Sequence, residues 1–392
     1  MVRQLLAVVA GLAVLATSAC STPAPPRADA ATSTPTGPVV LPAPTGPHPV
    51  ATTVLHLTDT SRPDPWNLDA AARELKVTLW YPTARRDGPR APYVTAKESE
   101  LLVRGSRITG VPYDVLSRTR TNAVTGADPA GARLPLVVLS PGFTMPVSTL
   151  TSLAEELASR GYVVAGIDHT YESYATTLGD GKVVDCLACD SDTDPGFGTA
   201  VTGIRAADVS FVLDRLTGPH PAWTGSTLID RSRIAMVGQS IGGASALAAM
   251  AKDPRIRAGV DLDGTTYARI PRTGLSRPFL FLGTDQHAPG GQDISWDRDW
   301  KLLSGAKTWL VMSRTEHESF TDIPFLSDVL GVKPPRGTLS AARSAQLTRT
   351  YVGAFVDEQL RGTQQALLTQ PPDAEVKVCS LTAKACEPYH RP

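Results

Sequence analysis

The stretch Ile234-Ala-Met-Val-Gly238-Gln239-Ser240-Ile241-Gly242-Gly243-Ala244 reads as an apolar strand running without a connecting loop into a helix of small residues. A turn this tight crowds backbone against backbone, and glycines two before and two after Ser240 keep side chains out of it. The serine is left at the end of the strand, above a helix N-terminus that offers free N–H groups and positive potential. A strand feeding a helix in this way is half of a parallel βαβ unit, so the turn constrains the sheet around it.

The rest of the chain agrees. Thr52–Leu57 and Leu75–Tyr81 read as strands of an antiparallel edge. Leu134–Ser140, Tyr162–Asp168, Arg233–Val237, Ala258–Leu262, Pro278–Leu282 and Thr308–Met312 are mostly continuous apolar runs, as strands covered on both faces are. Helical patterns lie between them at Ser148–Ser159, Ala200–Leu216, Ile241–Ala251 and Ala341–Leu360. Gly161 and Gly362 stand where helix C-caps are expected. Residues 92–133 and 183–200 match neither period and read as insertions over one face. The expectation is one α/β domain, residues 51–392, with a mainly parallel central sheet and helices on both faces.

Two segments precede it. Met1-Val-Arg-Gln leads into an apolar run, Leu5 to Ala16, too short to span a bilayer, and then Thr17-Ser-Ala-Cys20. The small residues before Cys20 resemble the lipobox of bacterial lipoproteins. Residues 1–19 thus read as an export signal, with Cys20 as the acylated new N-terminus and a lipid anchor in the membrane, the alternative being simple secretion. Ser21 to Val50 holds nine prolines in thirty residues, so residues 20–50 read as a disordered tether. Export makes the four other cysteines disulfide candidates, with the local pairs Cys186–Cys189 and Cys379–Cys386 preferred among three connectivities. No histidine lies at finger spacing from them, so a metal site is not expected.

With 38 basic and 38 acidic residues the chain has no basic field for nucleic acid. No HExxH, Walker or dinucleotide-binding string is present, so no cofactor is expected.

A nucleophilic Ser240 needs a base, and the order on this scaffold is serine, acid, histidine. Three of the seven histidines follow it: His287, His317 and His390. His390 is in a Pro-flanked tail and His287 comes one strand early. His317 follows the last strand, where the base is expected. The acid stays open between Asp285, after the penultimate strand, and Asp261 or Asp263, at the end of the one before. The oxyanion is assigned to the N–H groups of Ile241 and of Phe143, in the loop Ser140-Pro-Gly142-Phe143-Thr144.

Together these residues resemble the platelet-activating factor acetylhydrolase family of plasma type, an α/β-hydrolase family with bacterial relatives. Leu134 to Phe143 is similar to the family's oxyanion strand and turn, and Leu157 to His169 to its next helix and strand. Ile229 to Gly243 is similar to its nucleophile region, Ala258 to Gly264 to its acid segment, and Glu316 to Asp322 to its base segment. Pro141 and Gln239 stand where the family usually has histidine. The resemblance implies Asp263 as acid, with Asp285 as the alternative. It also implies an exported serine esterase acting on a small-molecule or lipid ester, with short or oxidised acyl groups of phospholipids expected. The rivals are a lipase or cutinase-like polyesterase and a cell-surface binding protein on an inactive scaffold.

Overall fold

The computed structural model describes residues 38–388. The export signal, Cys20, the first part of the tether and His390 lie outside the described residues.

In chain order the strands are β1 (Val50–Asp59), β2 (Arg73–Pro82), β3 (Arg90–Pro92), β4 (Arg120–Thr125), β5 (Leu134–Ser140), β6 (Val163–Asp168), β7 (Thr176–Thr177), β8 (Val183–Val184), β9 (Ile229–Gln239), β10 (Ile256–Leu262), β11 (Phe279–Gly283), β12 (Lys307–Met312), β13 (Val376–Ser380) and β14 (Ala385–Pro388). The helices are α1 (Ala96–Gly105), α2 (Thr151–Ser159), α3 (Phe197–Thr217), α4 (Ile241–Lys252), α5 (Ser295–Trp300), α6 (Ile323–Leu326) and α7 (Ala341–Arg361). Twelve of the described strands form one sheet in the order β14-β13-β12-β11-β10-β9-β5-β6-β2-β1-β4-β3, and β7 and β8 form a separate ribbon. The block from β12 to β6 is parallel.

The apolar strands explain themselves through the pleat. Ile234 and Met236 of β9 join a core with Val209, Leu213 and Leu247 from α3 and α4. Ala235 and Val237, between them in sequence, join the opposite core with Leu153 and Tyr351 from α2 and α7. Successive side chains point to opposite faces, so a strand covered on both sides must be apolar throughout. This is the α/β-hydrolase arrangement expected.

β5 pairs with β6 on one side and β9 on the other, so the strand order reverses there. At such a switch point the loops leaving neighbouring strands part and open a crevice at the strand C-termini. Ser240 and the loop after Ser140 both leave the sheet at this point.

Three expectations are corrected. β1 and β2 are antiparallel but not an edge, since β2 also pairs with β6 and β1 carries β4 in parallel. Residues 92–133 contain α1 and β4, and 183–200 contain β8 and the start of α3. Their regularity is held from outside: Glu155 of α2 accepts the backbone N–H groups of Asn122 and Ala123 at 2.8 and 2.7 Å. The folded boundary also lies before residue 51. Leu41 is buried and donates its N–H to Arg120 O at 3.0 Å, and Thr45 donates to Glu156. Cys186–Cys189 and Cys379–Cys386 are bonded as the local pairs, the second across the β13–β14 hairpin.

Candidate active site

Ser240 stands between β9 and α4 with φ 56° and ψ −129°, a conformation a β-carbon disfavours. Its N–H donates to Leu262 O of β10 at 2.8 Å, and its carbonyl accepts from Gly243 and Ala244 as α4 begins. The flanking glycines are required by close approach. A Cβ on Gly238 would lie 2.1 Å from the Gly242 carbonyl, and one on Gly242 would lie 2.1 Å from Ser140 O.

His317 and Asp263 reach the same place from other strands. His317 opens the 3₁₀ turn His317–Phe320 beyond β12, anchored by a capping box in which Glu316 and Ser319 bond reciprocally. Its Nδ1 lies 2.7 Å from Asp263 Oδ2. The imidazole is 47% exposed while Asp263 is buried, so the ring is open to a substrate and its acid is not. Against the cost of burial, hydrogen bonds from His287 and His317 hold the Asp263 carboxyl well below its usual range. Burial lowers the His317 pKa, but the bond to Asp263 outweighs it and the net direction is upward.

The three candidate acids separate. Asp285 is exposed and faces Lys377, 3.7 Å from its Nζ. Asp261 and Asp263, two apart, would share a face in a regular strand, but β10 stops at Leu262 and Asp263 turns to φ 59°. Asp261 stays behind with Oδ1 accepting the Gly264 N–H at 2.9 Å, and its burial pushes the carboxyl pKa far up. Asp263 swings to His317. His287, set aside as a base, lies beside the same acid, its Nδ1 2.9 Å from Asp263 Oδ1.

Phe143 and Ile241 line one cavity of about 560 Å³ with Ser240, Asp263 and His317. Phe197, Tyr267, Gln286, His287 and Asp293 complete much of its wall. The loop bearing Phe143 is pinned at Thr144, which donates to Glu172 O at 2.9 Å and accepts from Tyr174 N–H at 3.0 Å. Gln239 ties it to the base: its Nε2 donates to His317 O at 3.1 Å while its Oε1 lies over Gly142. Among the described residues no cluster of three or more His, Cys, Asp or Glu side chains is disposed to hold a metal ion.

Sequence reasoning missed the support beneath this loop. Arg205, from α3, donates to Pro141 O at 2.5 Å and to Ser140 Oγ at 3.2 Å. His169 Nε2 lies 3.0 Å from the same Oγ and its Nδ1 2.7 Å from Asp208. Ser140, His169 and Asp208 repeat the residue types of a catalytic triad, yet all are buried and their work is to hold the loop. Charged residues at positions 205 and 208 of a helix otherwise carrying an apolar stripe were the available signal.

The sequence profile of platelet-activating factor acetylhydrolase, isoform II, matches residues 34–183 and 225–364. The chain belongs to that family. It is 27% identical over 367 residues to a probable 1-alkyl-2-acetylglycerophosphocholine esterase of Arthroderma benhamiae, covering 85% of this chain and 91% of that one. It is 25% identical to the platelet-activating factor acetylhydrolase of Gallus gallus, over 74% of this chain and 76% of the other. Among solved structures, a ferulic acid esterase from Streptomyces cinnamoneus superposes with a TM-score of 0.78 at 44% identity, covering 87% of this chain and 99% of its own. This acetylhydrolase-family chain is a carboxylic-ester hydrolase.

Proposed function

We propose that the enzyme is a serine esterase working through an acyl-enzyme. The observation that carries this is Ser240, held at φ 56° on its turn, lining one cavity with an Asp263–His317 pair 2.7 Å apart. Ser240 Oγ attacks the ester carbonyl while His317 Nε2 takes its proton. Asp263 keeps the other proton on Nδ1 and offsets the imidazolium charge. The N–H groups of Phe143 and Ile241 receive the oxyanion. His317 then protonates the leaving alcohol and activates the water that releases the acid.

The substrate we infer is an ester with a compact acyl group, the first reading being a short or oxidised acyl group of a phospholipid. Membership of the acetylhydrolase family supports it. A second reading, an aromatic acyl group, is favoured by Phe143, Phe197 and Tyr267 on the cavity wall and by the likeness to a ferulic acid esterase. One panel tests both: an acetylated alkyl phospholipid, methyl ferulate, and p-nitrophenyl esters from acetyl to palmitoyl. A fall in kcat/KM toward palmitoyl is expected, and a rise would favour the lipase or polyesterase reading. Fluorophosphonate should label the wild type and not Ser240→Ala, which should lose about 10⁴–10⁶ in kcat with its Tm kept. Residual activity above a few per cent in Ser240→Ala would overturn the mechanism.

Export and anchoring at an acylated Cys20 belong to the same proposal, and the two disulfides support an oxidising compartment. The intact mass of the mature protein checks it: an unmodified N-terminus elsewhere would refute the anchor.

A further inference from the structure

Beyond the pair just described, Asp263 is held by a second histidine. Oδ2 faces His317, while Oδ1 accepts the Thr284 N–H at 2.6 Å and lies 2.9 Å from His287 Nδ1. The far side of the His287 ring is also committed, with Nε2 3.2 Å from Asp293 Oδ2. An ionised carboxylate only accepts hydrogen bonds, so a ring bonded to a carboxylate through each nitrogen needs a proton on both. His287 is therefore an imidazolium between two carboxylates. The ring is buried and stacked on Trp296 at 4.3 Å between centroids, 25° from parallel. Its backbone carbonyl accepts from Trp309 Nε1 at 3.0 Å, so position and charge are both built in.

We propose that His287 is a positioning residue of the esterase: a standing cation that locks the Asp263 carboxylate and moderates the basicity it confers on His317. The proposal rests on the Ser240–His317–Asp263 reading and deepens it. One Asp263 oxygen is fixed by two donors, so the other stays aimed at His317. The positive charge shared with Asp263 also disfavours a proton on His317, which keeps the base free at lower pH than a lone Asp–His pair would.

The surrounding groups agree in direction. Burial opposes charge on His287, but the bonds to Asp263 and Asp293 prevail and push its pKa up to about 9. Asp261 bears on the same ring, and its own burial favours the neutral acid. On His317, Asp263 and Glu318 act upward and His287 acts downward.

The test is the pH profile of kcat/KM for wild type, His287→Gln and Asp293→Asn. His287→Gln removes ring and charge. Asp293→Asn leaves the ring on Asp263 but offers Nε2 an amide N–H, so the ring no longer needs its second proton. Both variants should move the acid limb up by about half to one pH unit. His287→Gln should also lose roughly tenfold in plateau kcat. In ¹⁵N-histidine spectra at pH 7 the His287 ring should carry two N–H protons in the wild type and one in Asp293→Asn. An acid limb unmoved in both variants, or a singly protonated His287 in the wild type, would overturn the proposal. Should His287→Gln fail to fold, Asp293→Asn and the spectra decide. If Ser240→Ala stays active, the triad reading fails instead; if it is inactive and the profiles do not move, only His287's role does.

Discussion

Asp261 and Asp263 are two residues apart and both buried, yet their carboxyl pKa values shift in opposite directions. Asp261 accepts one backbone N–H, and the desolvation of its charged form outweighs that bond and the pull of nearby His287, so its pKa rises. Asp263 is buried too, but receives two imidazoles and the Thr284 N–H, and its pKa falls. The difference lies in the direction of one side chain, set where the chain leaves the pleat at φ 59°. Asp263→Asn should keep the geometry but let His317 take the wrong tautomer, lowering kcat by roughly 10²–10⁴ with KM little changed. Asp261→Asn and exposed Asp285→Asn should each cost less than about tenfold, since neither touches the base. Steady-state kinetics on the three variants check this, and a crippling Asp285→Asn would reverse the assignment.

At the scale of elements, the loops of the proposed site depend on a buried network that none of them could form alone. Arg73 of β2 donates to Asp64 at 2.9 Å, to Asp208 of α3 at 3.0 Å and to Thr170 O at 2.6 Å. Arg205 of α3 holds Glu172 at 2.7 Å and the carbonyl of Pro141. Through these, α3 and β2 clamp the loops after β5 and β6, and with them the Phe143 N–H. Arg205→Met would leave Glu172 buried with fewer partners and free the Ser140–Pro141 corner. Breaking a buried pair this way should destabilise the fold by roughly 3–5 kcal/mol in urea titrations. The displaced oxyanion donor should lower kcat by roughly 10–100-fold. A variant that loses stability but keeps wild-type kcat would show that the loop does not lean on Arg205.

For the whole molecule, pH acts through buried carboxylates. Glu98 of α1 lies 2.7 Å from Lys76 of β2; burial alone would raise its pKa, but Lys76 and the Thr95 and Thr177 hydrogen bonds bring it down to about 2. A depressed carboxyl contributes stability above its unfolded pKa of about 4.5 and loses it as pH falls through the folded value, so the window is about pH 4.5 down to 2. The contribution is on the order of a few kcal/mol. Glu98→Gln should be less stable than wild type at pH 7 and show a flatter decline below pH 4.5, read as urea midpoints against pH.

Much of this molecule is determined locally. Continuous apolar strands, the glycine-flanked Ser240 turn and the helix periods follow from how two faces of a sheet must be covered, and that is local information. The order of the motifs singled out Ser240 and His317 for the same reason. Which aspartate serves His317 was not local: the spacing of Asp261, Asp263 and Asp285 left the choice open until the break at Asp263 aimed one of them. α1 and β4 were missed because their partners, Lys76 and Glu155, come from other parts of the chain. His287 on Asp263, and Arg205 with Asp208 under the oxyanion loop, are visible only in three dimensions. A charge repays its burial through partners brought in from distant segments, and the sequence pattern around it carries no trace of which ones they will be.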